Sequence, residues 1–452
     1  MTIKSSSALF SSLAASQAFR AVASNSAWLL FDRFARMGLA LAVGVWTARY
    51  LGPERYGELY FVLAFLALFQ SAAPLGLDAV VVRDLAVDRT EAGAILGATF
   101  AVRLAAGVAC FGLAVGGLAL WRGPGSREVM LCALAAGGLI FQAFDTVDLW
   151  FQSRSQSRRT IVPKLVAYLC ASAFKVMAII QAAPLLVFAL VQTMDGLIAA
   201  VGLCVAYRLF PAGQPLKATL ERAEKQVRES FPYMLGAVAI VVYMRIDQLM
   251  VVHLLGYEAS GVYAAVVPLS TVWTVIPTTL AVSLAPFIAR KKNESEAAYY
   301  DSLTLVFRVF GSFGLLSSIV TAAAAPLIVG LLFGEQYKGA DQLLAIHAFG
   351  NFFVFQGVAQ GLWVVNEREG RLAVWRVLIG ACVSICANVV LLPIMGLRGA
   401  AVSYILSQAC AAIFLNLVFA PNIFIMQFGF SRPRRRLSFA PKREAVMTRE
   451  VS

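Results

Sequence analysis

The chain has 452 residues, 60% of them hydrophobic and 14% charged, with a formal net charge of +13 at pH 7. A soluble domain carries roughly 25% charged residues, and cores of limited volume cannot hide this much apolar surface. The composition therefore excludes an ordinary soluble protein and requires lipid as the solvent for much of the chain.

Residues 1–24 carry Lys4 and Arg20 around a Ser/Ala-rich stretch with no compact apolar run and no cleavage site, so they read as a cytoplasmic N-terminal segment. Apolar segments follow at 25–50, 55–77, 92–121, 127–151, 159–181 and 184–209. Each holds about 20 residues, enough to cross roughly 30 Å of hydrocarbon. The longest break, 210–230, reads as an amphipathic cytoplasmic connector, and further segments lie at 231–255, 261–288, 302–331, 341–365, 372–392 and 399–425. A basic cytoplasmic tail occupies 427–452, with its arginines concentrated between Ser431 and Arg436. Lipid offers no hydrogen bonds, so each span must pair its backbone internally, as a helix. The expected fold is all-α and integral to a membrane, about 12 helices in an N-lobe, 25–209, and a C-lobe, 231–426.

Loop charge sets the expected orientation. With the N-terminus in the cytoplasm, most of the 38 Lys and Arg fall on cytoplasmic loops and tails, among them Arg154, Arg158 and Arg159, then Lys217, Arg222, Lys225 and Arg228, then Arg290, Lys291 and Lys292. Few fall outside: Arg49, Arg55, Arg122, Arg127, Lys338 and Arg398. Both termini are then cytoplasmic. The basic tail reads as an anchor to anionic lipid headgroups rather than a nucleic-acid contact.

The 7 cysteines all lie in apolar segments without a CxxC pair, and there are only 2 histidines, so neither disulfides nor a metal site are expected. His253 and His347 lie near the outer helix ends and read as passive. No GxxxxGK[ST] loop occurs, so ATP hydrolysis by this chain is not expected, and no cofactor is called for.

LGPERYGELY at Leu51 recurs as LGYEASGVYA at Leu255, with identities at Leu51/Leu255, Gly52/Gly256, Glu54/Glu258 and Gly57/Gly261. Leu149-Trp150 followed by Arg158 matches Leu362-Trp363 followed by Arg371, and Arg103 and Arg308 hold nearly equivalent places. These matches imply a duplicated six-helix half. An even number of helices per half gives both the same polarity, hence a pseudo-two-fold axis along the membrane normal with a substrate path between the lobes. That arrangement suits a carrier working by alternating access.

Charges inside spans are expensive in lipid and must face protein or water. Those singled out are Asp32, Arg33 and Arg36 in the first span, Arg103 in the third, Asp145 and Asp148 in the fourth, Lys164 and Lys175 in the fifth, Asp195 in the sixth, Arg245 and Asp247 in the seventh, and Arg308 in the ninth. Basic residues outnumber acidic ones in this set. Asp32 and Arg36 are spaced to pair on one helix face. Arg33, Arg103, Lys175 and Arg245 are the leading candidates for a cationic, water-filled cavity, with Arg36 and Arg308 as further candidates. Arg308 and Lys164 lie near enough to the cytoplasmic side to snorkel to headgroups instead. Asp145 and Asp148 share a face and either pair with Lys164 or hold a coupling cation or proton; Asp195 and Asp247 have the same two readings. Gly93–Gly97 and Gly112–Gly116 have the spacing of close helix packing, and Pro74, Pro268, Pro277, Pro286 and Pro326 mark helix bends or ends.

The run ARYLGPERYGELYFVLAF from Ala48, followed by GLDAVVVRDLA from Gly76, resembles the first two helices of Wzx-type bacterial oligosaccharide flippases. These are the polysaccharide biosynthesis proteins of the multidrug/oligosaccharidyl-lipid/polysaccharide exporter superfamily. FGEQYKGAD from Phe333, VVNEREGR from Val364 and NVVLLPIMGLRGAAVSYILSQ from Asn388 resemble later features of the same family, so the likeness covers nearly the whole chain. It implies two six-helix lobes in a V and a non-enzymatic function in the bacterial inner membrane. That function is to move a polyprenyl-diphosphate-linked glycan from the cytoplasmic to the outer leaflet for surface polysaccharide assembly. Membrane lipids and polysaccharide polymerase or chain-length proteins are the partners it implies. An anionic diphosphate headgroup suits a lumen lined by Arg and Lys. The alternatives are a multidrug or metabolite antiporter of the same superfamily and, in a different class, a membrane polysaccharide polymerase or ligase.

Overall fold

The structure is a computed structural model that describes the backbone of residues 4–88 and 90–428, and the side chains of Phe31 and of residues 33–428 apart from Arg89. The side chain of Asp32, with its expected Arg36 pairing, and the tail from 429 onward lie outside the described residues.

The secondary structure of the described residues is helical, without strands. The first half runs α1 (Lys4–Ala72), α2 (Leu77–Val87), α3 (Ala92–Arg122), α4 (Arg127–Phe141), α5 (Thr146–Ser153), α6 (Arg158–Ile180) and α7 (Leu185–Leu209). The second half runs α8 (Leu220–Thr271), α9 (Val275–Glu294), α10 (Glu296–Leu332), α11 (Ala340–His347), α12 (Gly350–Glu367), α13 (Gly370–Met395), α14 (Leu397–Ala409), α15 (Leu415–Phe419) and α16 (Pro421–Gln427). Among the described residues, 10 helical stretches are long and apolar enough to cross a membrane. Two of these, Arg33–Val87 and Leu220–Glu294, are each double spans, which recovers the dozen expected.

The breaks inside the double spans coincide with the sequence repeat. Gly52 (φ 71°, ψ 168°) divides α1 and Gly256 (φ 87°, ψ −178°) divides α8, at equivalent positions of the two LG motifs. Only glycine adopts this backbone region without strain, so the reversal of chain direction is written into both copies. Pro53 then opens the second limb of α1, where a helix start has no use for its missing N–H.

The two halves meet through these limbs. A methyl group on Gly57 would overlap the carbonyl oxygen of Tyr257, and one on Gly261 would overlap the carbonyl oxygen of Pro53. Pro53 and Tyr257 are themselves equivalent in the repeat, so the contact is reciprocal: each half presents the same surface to the other, as across a two-fold axis. The core around this seam includes Leu51, Tyr56, Leu59, Phe61, Val262, Tyr263 and Tyr337.

The connector docks on the first lobe. Gly93 and Gly97 press against the backbone of Pro215 and Lys217, and the Lys217 amide donates to the Gly93 carbonyl oxygen at 3.1 Å. The glycine spacing there therefore admits a loop rather than a neighbouring helix. Gly112 and Gly116 face open space, so that pair packs nothing within the chain. Arg222–Glu91 and Arg83–Glu229 ion pairs strap the start of α8 to α2 and the α2–α3 turn.

Candidate transport site

Three cavities lie between and beside the first limb of α1 and its neighbours. The first, about 300 Å³, is a mostly apolar chamber between the lobes, with Met37, Gly44, Tyr56 and Tyr60 on one side and Pro268 and Thr274 on the other. The second, about 290 Å³, lies within the first lobe and is polar: Arg36, Gln142, Asp145, Lys164, Gln192 and Asp195 line it. A smaller one of about 90 Å³ holds Tyr168, Ser172 and Lys175. It shares Tyr60 with the chamber and Gln192 with the polar cavity, so the three form a series of adjoining spaces.

The polar cavity is built by pairing across helices. Lys164, on α6, reaches back to Asp145 Oδ1 at 2.7 Å and Asp148 Oδ2 at 2.9 Å, at the α4–α5 junction. Asp148 also accepts from the Thr160 hydroxyl. The expected Asp145/Asp148 pair thus serves as the counter-charge of Lys164. Arg36 lies over the ring of Tyr168 at 5.3 Å, and Asp195 on α7 sits within electrostatic reach of both Arg36 and Lys175. Among the described residues of this region, the cations Arg36, Lys164 and Lys175 therefore face the carboxylates of Asp145, Asp148 and Asp195. Charges alternate there, where the sequence led to the expectation of a cationic surplus.

The remaining expected residues separate from this cluster. Arg103 is only 2% exposed and pairs with Asp78, on α2, at 2.8 Å; it lines none of the three cavities. The sequence groups it with Lys175 and Arg245, but its helix turns it toward α2. Arg308 is exposed on the same face of α10 as Leu305 and Val309, the pattern of a side chain at the bundle periphery. Arg33 is exposed on the first limb of α1. Arg245, exposed on α8, lies near Gln248 (3.4 Å) and within electrostatic reach of Tyr60 across the seam, so it belongs to the cleft between the lobes. Asp247 is buried and accepts from the Tyr263 hydroxyl and the Gln248 amide, which ties the two limbs of α8 together. His347 is buried, 2.8 Å from the Ser270 hydroxyl and stacked on Tyr404 at 4.0 Å.

One end of the cleft is sealed. Beside the Gly57/Gly261 contact, the Tyr257 hydroxyl donates to Glu128, and Arg122 packs over Phe61 (5.2 Å), Trp121 (5.0 Å) and Tyr257 (6.0 Å). The Tyr337 hydroxyl donates to the Ala48 carbonyl at 2.8 Å, a further bond from one half to the other.

Asp78, just beyond a span, and Arg376, inside one, are not among the residues expected from the sequence. Gln142 and Gln192 carry no charge and so gave no signal against an apolar background.

Two lobes of six spans, joined at a pseudo-symmetric seam around adjoining cavities, define a membrane-carrier fold. The chain matches the family described as "Polysaccharide biosynthesis protein" over residues 22–292, more than half its length, and it belongs to that family. In sequence it is 22% identical over 176 residues to the capsular polysaccharide biosynthesis protein CapF of Staphylococcus aureus, a match covering 37% of this chain and 43% of that one. In fold it is similar to an inward-facing multidrug resistance MATE transporter of the MOP superfamily, with a TM-score of 0.70 at 14% identity, over 87% of this chain and 96% of that one. It is also similar to the lipid II flippase MurJ in an inward closed conformation, with a TM-score of 0.68 at 12% identity, over 88% and 91%. The all-α, two-lobe membrane fold expected from the sequence is the fold observed.

Proposed function

We propose that this protein is a flippase for polyprenyl-diphosphate-linked oligosaccharide repeat units, moving them from the cytoplasmic to the outer leaflet of the bacterial inner membrane by alternating access. The observation that carries this reading is the polar cavity of the first lobe adjoining an apolar chamber between the lobes. Glutamines and alternating charges offer the paired donors and acceptors that sugar hydroxyls need, since a buried polar group without a partner is costly. Arg245 at the cleft, with Arg36 and Lys175 behind it, supplies positive charge for the diphosphate. The polyprenyl tail stays in lipid beside the chamber. In this reading the Gly52/Gly256 end faces outward, both termini are cytoplasmic, and polymerase and chain-length proteins take up the product.

A strain deleted for the gene is expected to lose surface polysaccharide and to accumulate lipid-linked repeat units on the cytoplasmic leaflet. Wild-type protein restores export, while Arg36→Ala and Arg245→Ala at normal expression restore it poorly. Unchanged surface polysaccharide and no accumulated intermediate in the deletion strain would refute the assignment. The carboxylates of the polar cavity favour a second reading, antiport of a cationic small molecule. Efflux of cationic dyes dependent on Asp145 and Asp195 would support it in place of the first.

A further inference from the structure

The duplication can be followed through a second landmark, at the turn after the fourth span of each half. Ser155 (φ 54°) and Arg368 (φ 57°) occupy the left-handed region at corresponding positions after Leu149-Trp150 and Leu362-Trp363. The hydrogen bonds also correspond: Gln156 N–H to Phe151 O at 2.8 Å, and Glu369 N–H to Val364 O at 3.0 Å. The two turns are thus in register, residue for residue, and so are the helices that leave them.

In this register Lys164 of the first lobe corresponds to Val377, one residue beyond Arg376. The carboxylates that neutralise Lys164 do not recur: Asp145 corresponds to Val358 and Asp148 to Gly361. Arg376 keeps a cation at nearly the same place on the fifth span of its half, without the two acids. Its Nε donates to the Ala411 carbonyl at 2.7 Å, where residues Cys410–Phe414 form a π-helical turn. Such turns release carbonyl groups from the helix ladder. The terminal nitrogens of Arg376 have no carboxylate partner among the described residues. One of them would lie 3.2 Å from a methyl on Gly357, and a side chain at Gly361 would meet nothing within 4 Å. The guanidinium is half-buried and anchored through one nitrogen, with Gly357 beside it, while Gly361, where the first lobe has Asp148, opens onto free space.

We propose that Arg376 is an anion-binding residue of the second lobe that takes phosphate oxygens of the transported diphosphate. This rests on the flippase reading given above and adds a residue to it: the second lobe contributes its own contact to the diphosphate, beside the cations already assigned to it. A guanidinium with two terminal nitrogens to spare presents parallel donors to a phosphate.

The test uses the full chain in phosphatidylcholine nanodiscs, with binding of farnesyl diphosphate and of inorganic pyrophosphate measured for wild type, Arg376→Lys, Arg376→Gln and Gly361→Asp. Gly361→Asp restores the missing carboxylate in open space and leaves the arginine and its Ala411 bond in place. Arg376→Gln and Gly361→Asp are expected to weaken binding of both probes roughly tenfold or more, with Arg376→Lys intermediate. Melting temperatures of Gly361→Asp and Arg376→Lys near wild type would exclude misfolding as the cause. Wild-type affinity in Arg376→Gln or Gly361→Asp would overturn the role of Arg376 and leave the flippase reading standing. Failure of the wild-type protein to bind either probe would remove both. An effect seen only when phosphatidylglycerol is added to the discs would assign the arginine to bulk headgroups and overturn its role in substrate binding.

Discussion

Arg103 and Asp78 form an unequal pair, 2% and 63% exposed, and the inequality decides what each substitution costs. Asp78→Ala strands a buried guanidinium and is expected to cost about 3–5 kcal/mol. Arg103→Met leaves only a well-exposed carboxylate behind and fills much of the same space, at about 1 kcal/mol. Thermal unfolding of the purified variants in detergent checks the order, and an equal loss from both would contradict it. A charge inside an apolar run is conspicuous in sequence, so Arg36, Lys164, Lys175, Asp195 and Arg245 could all be picked out before any fold was known. The pairing of Lys164 with Asp145 and Asp148 is one of the two readings the sequence offers, and the return of α6 alongside α5 decides for it. The partner of Arg103 is not legible: it meets Asp78 only because α2 folds under α3. Such pairings depend on helix rotation, which hydropathy does not encode.

At the scale of helices, the glycines at the two breaks do different jobs. Gly52→Ala and Gly256→Ala place a side chain in glycine-only backbone, and each is expected to cost about 1–3 kcal/mol. Gly57→Ala and Gly261→Ala keep helical backbone but wedge a methyl into the opposite half, with an overpacking cost of about 1–3 kcal/mol. Because the contact is reciprocal, the latter two should behave alike. Both are expected to widen spin-label distances across the seam between the second limbs of α1 and α8, measured by electron paramagnetic resonance. Widening in one variant and not the other would show that the seam is not symmetric. The spans were legible because a membrane helix must be long and apolar, and the breaks because the LG motif appears twice. The packing of Gly93 and Gly97 was not legible: their spacing is the same whether a helix or, as here, the 210–219 connector fills the groove.

For the whole molecule, transport by alternating access requires the sealed end to open. Cysteines at Glu128 and Tyr257, in a background with the 7 native cysteines replaced, should join through a short bis-maleimide. Export is expected to stop on cross-linking and to persist when either cysteine is present alone. Continued export after complete cross-linking would rule out opening at this end as part of the cycle. The two ends of the bundle are held differently: aromatic rings, Arg122 and close glycines at the sealed end, exposed ion pairs such as Arg83–Glu229 at the connector. Exposed pairs contribute about 0–1 kcal/mol each, so the connector strap resists motion weakly.

The self-matching glycine contact also bears on how such a chain could arise. A single six-helix unit carrying this motif would already own the surface needed to bind its own twin, head beside head. Fusing two such units into one polypeptide would preserve that handshake while freeing every other position to diverge. Acids paired with lysine in one lobe, and an arginine without them in the other, are the kind of division of labour that a pair of identical subunits could not have reached.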